Sequence, residues 1–247
     1  MNPFAIVTGG ASGLGLAIAE RLLDDGWNVA VVDADQAALS EAEDMLNGEE
    51  VIFLSADVTD EDEIAEAFDQ AAATYGPPEA LVNAAGIRRE LAFEETSAEL
   101  FRQLLDINLV GSFVAAGAAL ERMGDTLSIV NLASVSGLRA NAGCTAYGAS
   151  KAGVKMMTEV MALELAGRGV RVNGVAPGLV ENGVTSFGAD AGRQRDWLER
   201  TPQRRTINTR DVAAAVAYLL SAGASSVTGH TLVIDGGFSI AGVVRKD

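Results

Sequence analysis

The sequence predicts a single α/β domain in which a parallel sheet of seven strands carries helices on both faces. Short runs rich in Val, Ile and Leu recur along the chain, and the stretches between them place apolar residues at helical spacing. Alternation of apolar strands with helices is typical of a doubly wound parallel sheet. Neither a break in composition nor an internal repeat divides the 247 residues, so we expect one domain spanning 1–247.

The individual elements can be placed in order along the chain. The predicted strands are Phe4–Thr8, Asn28–Asp33, Val51–Leu54, Ala80–Val82, Leu127–Leu132, Val170–Val175 and Thr231–Ile234. The clearest helical sets are Leu14, Ala17, Ile18, Arg21 and Leu22, then Ile64, Ala67, Phe68 and Ala71. The segment from about 180 to 209 shows no clear period, and a long excursion late in such a sheet predicts a substrate-binding lid.

The net charge and the length of the apolar runs argue against nucleic acids and membranes as partners. The formal net charge is −16, so the surface repels nucleic-acid phosphates and anionic lipid headgroups. The apolar runs are also too short to suggest a bilayer span. We therefore expect neither a nucleic-acid nor a membrane partner.

Cysteine and histidine each occur once, as Cys144 and His230. A single thiol forms no intrachain disulfide, and a single histidine excludes the common His-rich metal sites, so we expect no metal centre. An apolar run begins at Phe4, which leaves no room for a targeting peptide before it. These features predict a cytoplasmic protein.

A glycine-rich turn follows the first predicted strand and precedes the first helical set. It departs from the usual G-x-G-x-x-G and reads G-x-x-x-G-x-G. Such glycines let the backbone approach a pyrophosphate, which then sits on the free N–H groups at the helix N-terminus. A glycine-rich turn serves only packing in some proteins, but its place between strand and helix favours dinucleotide binding. The residues concerned are Thr8, Gly9, Ser12, Gly13, Leu14 and Gly15.

Asp33 ends the second predicted strand, 18 residues after Gly15. An acidic residue in this position accepts hydrogen bonds from the adenosine ribose and repels a 2′-phosphate. Between Leu22 and Ile87 there is no Lys or Arg that would pair with such a phosphate. The sequence therefore predicts NAD rather than NADP as cofactor.

A tyrosine and a lysine open an apolar helical stretch. The i, i+4 spacing of Tyr147 and Lys151 places the phenol and the ammonium on one helix face. A phenol has an ordinary pKa of about 10, and a nearby cation lowers it, which makes the group a usable acid and base. Ser134 follows the fifth predicted strand, where its hydroxyl would hold a substrate oxygen, and Ser136 competes with it for this role.

Taken together, these motifs resemble the short-chain dehydrogenase/reductase family, and the resemblance covers essentially the whole chain. The matching residues are Thr8 to Gly15, Asp57-Val58, Asn83-Ala84-Ala85-Gly86, Asn108, Ser134, Tyr147, Lys151, Pro177-Gly178, Thr228-Gly229 and Asp235-Gly236-Gly237. The resemblance implies a Rossmann-type fold and an oxidoreductase that uses a nicotinamide cofactor.

The resemblance implies catalytic roles for four residues. Tyr147 is expected to be the acid and base, while Lys151 lowers its pKa and binds the nicotinamide ribose. Ser134, which lies 13 residues before Tyr147, is favoured over Ser136 for the substrate oxygen. Asn108 is expected to hold a water that relays protons to Lys151.

The remaining cofactor contacts are also implied by the resemblance. They are Asp33, Asp57, Val58, Asn83, Ala84, Ala85, Gly86, Tyr147, Lys151, Pro177, Gly178, Val180 and Asn182. Asn182 stands where the family often has Thr. Either Asn182 or Thr185 would therefore contact the nicotinamide carboxamide.

Arginines concentrate in the regions that would surround a substrate. Arg88 and Arg139 lie in the loops after the fourth and fifth strands, and Arg193 belongs to a basic run over 193–210. A guanidinium binds a carboxylate or phosphate bidentately, so an anionic substrate is one hypothesis; pairing with the many acids of this chain is the other. Cys144 and Trp197 are further candidates for the substrate pocket, Cys144 as a small apolar group.

The sequence thus predicts an NAD-dependent oxidoreductase that moves a hydride between a secondary alcohol or ketone and NAD(H). Two alternatives stay open: an NADPH-dependent reductase of the 3-oxoacyl carrier-protein type, and a non-catalytic nucleotide sensor on the same fold. The resemblance also implies a homotetramer.

Overall fold

The computed structural model of the chain describes residues 2–48, 50–181 and 191–242. Within these residues, seven strands form one sheet in the order β3-β2-β1-β4-β5-β6-β7, and every neighbouring pair is parallel. The strands are β1 (Phe4–Thr8), β2 (Asn28–Asp33), β3 (Val51–Ser55), β4 (Ala80–Asn83), β5 (Leu127–Leu132), β6 (Val170–Pro177) and β7 (Thr231–Ile234). The predicted single-domain, parallel seven-stranded fold is confirmed.

Helices connect the strands and cover both sheet faces. They are α1 (Gly13–Asp24), α2 (Gln36–Met45), α3 (Glu61–Tyr75), α4 (Ala98–Leu105), α5 (Gly111–Arg122), α6 (Thr145–Leu165), α7 (Ala191–Arg200) and α8 (Thr209–Leu220). On one face, Ile18 and Leu22 of α1 join Val216 of α8 in a buried cluster with β1 and β2. On the other face, Ile64 and Phe68 of α3 pack with residues of α5 beneath the same strands.

One long helical segment corrects the expectation drawn from the apolar runs. From Ala98 to Arg122, α4 continues through a π turn over Asp106–Val110 into α5, and these 25 residues are long and apolar enough to cross a bilayer. The sequence interpretation missed this because the apolar residues are spread over two helices. The segment packs against α3 and α6 and includes the fully buried Asn108.

The segment predicted as a lid contains a helix that its pattern did not reveal. Helix α7 has only Trp197 and Leu198 as large apolar residues among charged neighbours, so no apolar period is visible in its sequence. The Trp197 ring stacks on Phe238, with ring centroids 4.1 Å apart. Val180 and Ile207 form a parallel bridge at the base of the segment.

Candidate active site

The carboxyl ends of strands β1 to β6 surround a cavity of about 290 Å³. The order of the strands reverses between β1 and β4, and in open parallel sheets ligands bind at such a switch point. Many residues singled out in the sequence line this cavity. They are Gly9, Ser12, Leu14, Gly15, Asp33, Asp57, Val58, Ala84, Ala85, Gly86, Ser134, Tyr147, Lys151 and Pro177.

The glycine-rich turn is packed too closely to admit side chains at two positions. A Cβ added at Gly9, whose φ is +63°, would lie 2.5 Å from the Ala85 backbone. A Cβ added at Gly15 would lie 1.9 Å from the carbonyl oxygen of Gly9. Ser12 occupies the N-cap position of α1, and within residues 2–48 its side chain makes no capping hydrogen bond. Ser12, Leu14 and Gly15 line the cavity at the start of α1, where the first N–H groups of a helix have no partner within the helix, as anion binding requires.

The carboxylate of Asp33 is fixed at the end of β2. Oδ2 accepts a hydrogen bond from the Ala11 N–H at 3.2 Å, and Oδ1 accepts one from the Asp35 N–H at 3.1 Å. These bonds connect Asp33 to the glycine-rich turn and hold its negative charge against the cavity wall. Next to it, Asp57 accepts hydrogen bonds from the N–H and hydroxyl groups of Thr59, which orders the loop after β3.

Asn83 supports the site from within the core. Its Nδ2 donates to the Ser112 carbonyl oxygen at 3.1 Å and to Asn131 Oδ1 at 2.9 Å. Asn131 in turn donates to the Thr158 hydroxyl at 2.9 Å. This buried network ties β4 and β5 to α5 and α6, so Asn83 stabilises the cavity wall and is not among the described residues that line the cavity.

Asn108 lies in the π turn between α4 and α5, an irregularity often found at functional sites. Its Oδ1 accepts from the Ile87 N–H at 2.8 Å, while Nδ2 donates to the Ile87 carbonyl oxygen and to the Ser150 hydroxyl at 3.0 Å each. The amide thus clamps the loop after β4 to α6. A Cβ at Gly86 would lie 2.9 Å from Asn108 Oδ1 and 3.5 Å from Lys151 Nζ, so this glycine lets the two side chains approach each other.

Tyr147 and Ser134 meet at the floor of the cavity. Tyr147 is 6% exposed and hydrogen-bonds with Ser134, which follows β5. Ser136, the rival candidate, is buried and its hydroxyl accepts from Asn141 Nδ2 at 3.1 Å. Ser134 is therefore the serine that the structure places beside the phenol.

The titration behaviour of Tyr147 differs from the expectation. Burial raises the pKa of the phenol above its usual value, against the opposing effects of the Ser134 hydrogen bond and the Arg88 charge. Lys151 Nζ donates to the Leu132 carbonyl oxygen at 2.6 Å, and burial lowers the pKa of this lysine to about 8. In the chain alone, desolvation outweighs the Ser134 hydrogen bond and the Arg88 charge, so the lowering of the Tyr147 pKa by Lys151 stays a prediction.

The other predicted cofactor contacts lie around the cavity or outside the described residues. Thr8 is buried at the end of β1, and Gly13 begins α1 with a φ of +55°. Gly178 donates its N–H to the Ile234 carbonyl oxygen at 2.9 Å, and Val180 is buried beside it. Both alternatives for the carboxamide contact, Asn182 and Thr185, lie outside the described residues.

The predicted substrate residues separate into two groups. Arg139 lines a second cavity of about 330 Å³ together with Arg200 and Glu199. Trp197 lines an adjoining cavity of about 170 Å³ beside Arg200. Arg88 and Cys144, by contrast, lie beside Tyr147. The side chain of Arg193 lies outside the described part of α7.

Several cavity residues carry no motif and were missed in the sequence. They are Ala34, Ala56, Ile87, Ile107, Leu132 and Ala133. Their signal is position for four of the six, since Ala34, Ala56 and Ala133 directly follow strands and Leu132 is the last residue of β5. Among the described residues, no group of three or more His, Cys, Asp or Glu side chains is placed to hold a metal ion.

Fold and site together define an enzyme of the nicotinamide-dependent oxidoreductase class. The family model described as "Enoyl-(Acyl carrier protein) reductase" matches residues 9–239. Glucose 1-dehydrogenase 2 of Bacillus subtilis is 36% identical over 245 residues, covering 96% of this chain and 94% of that protein. The 3-oxoacyl-[acyl-carrier-protein] reductase FabG of Chlamydia muridarum is 32% identical over 244 residues, covering 97% and 98%.

The structural comparison agrees with the sequence relatives. A crystal structure of a short-chain dehydrogenase/reductase, described as a glucose/ribitol dehydrogenase from Brucella melitensis, has a TM-score of 0.91 and 33% identity and covers 96% of each chain. The chain belongs to the short-chain dehydrogenase/reductase family. Its relatives are dehydrogenases and reductases of alcohol and carbonyl groups, and the nicotinamide cofactors of the family suit the glycine-rich turn, whose Gly9 and Gly15 line the cavity.

Proposed function

We propose that the protein is an NAD-dependent oxidoreductase that interconverts a secondary alcohol and a ketone. The observation that carries this proposal is a single cavity lined by Asp33 at the end of β2, by Ser134 after β5, and by Tyr147 and Lys151 of α6. The cofactor supplies the hydride chemistry, and the residues of the chain bind, orient and transfer the proton.

In this proposal Ser134 hydrogen-bonds the substrate oxygen and Tyr147 donates a proton to it or removes one from it. The raised pKa keeps the phenol protonated at neutral pH, the form required to protonate a carbonyl oxygen. Oxidation of an alcohol needs the phenolate instead. We therefore expect alcohol oxidation to become faster as pH rises toward the pKa of Tyr147, and carbonyl reduction to become slower.

NAD is the proposed cofactor because the fixed carboxylate of Asp33 would face the 2′-phosphate of NADP. We expect Asp33→Asn to reduce the preference for NAD⁺ over NADP⁺, measured as the ratio of kcat/KM values, by about tenfold or more, since like charges in contact cost several kcal/mol. Reduced nicotinamide formation measures both rates. Asp44→Asn, an exposed acid on α2, is the matched control and should leave the ratio unchanged. A wild-type preference for NADP⁺ would contradict the proposal.

An NADPH-dependent reductase of the 3-oxoacyl carrier-protein type is the alternative, and it is favoured by the resemblance to FabG of Chlamydia muridarum. The two functions differ in substrate as well as cofactor. Steady-state assays with NAD⁺ and secondary alcohols, and with NADPH and a 3-oxoacyl thioester, separate them. Faster turnover of the thioester would favour the alternative.

The charge of the substrate is a further part of the proposal. Arg139 and Arg200 share a cavity, which supports an anionic group on the substrate, although Glu199 lines the same cavity. Matched pairs of alcohols, each with one neutral and one carboxylated member, test this directly. A lower KM for the carboxylated member supports the anionic substrate, and equal values would reject it.

We further propose that the protein is a homotetramer. Helices α5 and α6 leave large apolar side chains exposed, including Phe113 at 64%, Met156 at 56% and Leu163 at 83%. Met156, Val160 and Leu163 share one face of α6 by their spacing, and exposed apolar faces of this kind mark interfaces. Light scattering should give four times the chain mass, and a monomeric mass would contradict the proposal.

A further inference from the structure

An ion pair lies almost buried in the loop after β4, beside the catalytic centre. Arg88 and Glu90 form a salt bridge, and their side chains are only 7% and 12% exposed. Cys144 Sγ donates to Glu90 Oε1 at 3.6 Å, and the Leu91 N–H donates to the Gly143 carbonyl oxygen at 3.1 Å. These contacts join the loop to the start of α6, the helix that carries Tyr147.

The guanidinium of Arg88 lies against the Tyr147 ring. Its Cζ is 5.7 Å from the ring centroid, within the range of a cation–π contact. Burial makes such a contact stronger than it would be in water, because less solvent screens the charge. Glu90 fixes the direction of the guanidinium, so the positive charge stays next to the ring.

Groups from four elements face the phenol. Arg88 and Glu90 come from the loop after β4, Ser134 from the loop after β5, and Lys151 from α6 with its N-cap residue Cys144. Helix α4 contributes the apolar side chains Leu100, Phe101 and Leu104. The positive charge that lowers the pKa of Tyr147 is that of Arg88, whereas an ionised Cys144 would raise it.

We propose that Arg88, held by its ion pair with Glu90, is a positioning residue that orients Tyr147 and supplies a fixed positive charge favouring its phenolate. The loop after β4 thus adds to the proton-transfer machinery a cation from outside the Tyr147–Lys151 pair. This role rests on the proposed function of Tyr147 as acid and base, but the charge effect itself is measurable without turnover.

The test is a spectrophotometric titration of tyrosinate absorbance on the whole protein. The chain has three tyrosines, so subtracting the titration of Tyr147→Phe in each background isolates the signal of Tyr147. We expect Arg88→Gln to move the midpoint of this signal upward by about one pH unit. Arg88→Lys keeps the positive charge and should return the midpoint most of the way to its wild-type value. Arg89→Gln, which removes the same charge from an exposed neighbour, should leave the midpoint in place.

Removal of Arg88 alone leaves the Glu90 charge nearly buried, which weakens folding. Arg88→Gln/Glu90→Gln removes both charges and provides a second variant in which we expect the upward shift to persist. An unchanged midpoint in both variants, or an Arg88→Lys midpoint as high as that of Arg88→Gln, would overturn the proposal.

Measurements of turnover distinguish the charge effect of Arg88 from the proposed oxidoreductase activity. If alcohol oxidation is observed, the rise of kcat/KM with pH should move upward in Arg88→Gln by the same amount as the titration midpoint. A shifted titration midpoint together with no turnover on any alcohol would support the charge effect of Arg88 while rejecting the proposed function.

Discussion

Replacing Tyr147 with Phe should reduce turnover by about three orders of magnitude, because a positioned acid and base contributes roughly a hundredfold to ten-thousandfold to the rate. The change removes only the hydroxyl. The ring keeps its packing with Leu104, Ala146 and Cys144, so the fold should be unaffected. Initial rates of reduced nicotinamide formation and thermal melting of the same preparation measure both expectations.

A control variant and a binding measurement show whether the loss of turnover comes from the lost hydroxyl of Tyr147. Tyr218→Phe makes the same change at a half-exposed tyrosine of α8 and should keep wild-type turnover. The increase in melting temperature caused by NADH should be similar in Tyr147→Phe and in the wild-type protein, since ligand binding stabilises the folded state by mass action. Wild-type turnover in Tyr147→Phe would contradict the proposed mechanism, and NADH binding without any turnover in the wild-type protein would favour the nucleotide sensor.

The sheet and most of the cavity could be predicted because they follow from local patterns. Apolar runs bounded by glycine and polar residues identified all seven strands to within two residues of their observed ends, from Phe4 of β1 to Ile234 of β7. Parallel strands share one carboxyl edge, so the residues that follow them meet there whatever the helices do. Asp33 and Ser134 therefore line one cavity, and Gly15 and Tyr147 join them there from the first turns of α1 and α6.

The electrostatics of the site could not be predicted in this way. The pKa of Tyr147 depends on how completely α4 and the loop after β4 cover the phenol, and these residues are distant from Tyr147 in the sequence. The hypothesis that the arginines bind an anionic substrate was limited in the same way, because the sequence does not show which charged groups pair. Arg88 and Glu90 lie two residues apart in a loop without a period, so nothing in the pattern indicates that they pair and face the ring.

The glycine-rich turn leads to the second large effect, which we expect from Gly15→Ala. A Cβ at this position would lie 1.9 Å from the Gly9 carbonyl oxygen, and both groups belong to the backbone, so neither can move aside by a side-chain rotation. The turn must shift as a whole. We expect a loss of about 2–3 kcal/mol in the free energy of unfolding, typical of overpacking, and at least about a hundredfold weaker binding of NADH.

Helix propensity alone predicts that Gly15→Ala raises the free energy of unfolding, whereas the backbone clash predicts that it lowers it. The substitution therefore distinguishes the two effects. Gly15 lies in α1, where alanine would stabilise an unhindered helix by about 1 kcal/mol. Gly167→Ala is the matched control, since a Cβ there meets no atom within 4 Å and the site is exposed. Urea unfolding and a fluorescence titration with NADH measure the two losses. If Gly15→Ala binds NADH as the wild-type protein does, the close approach of Gly9 and Gly15 does not form the cofactor site, and the glycines of this turn serve only packing.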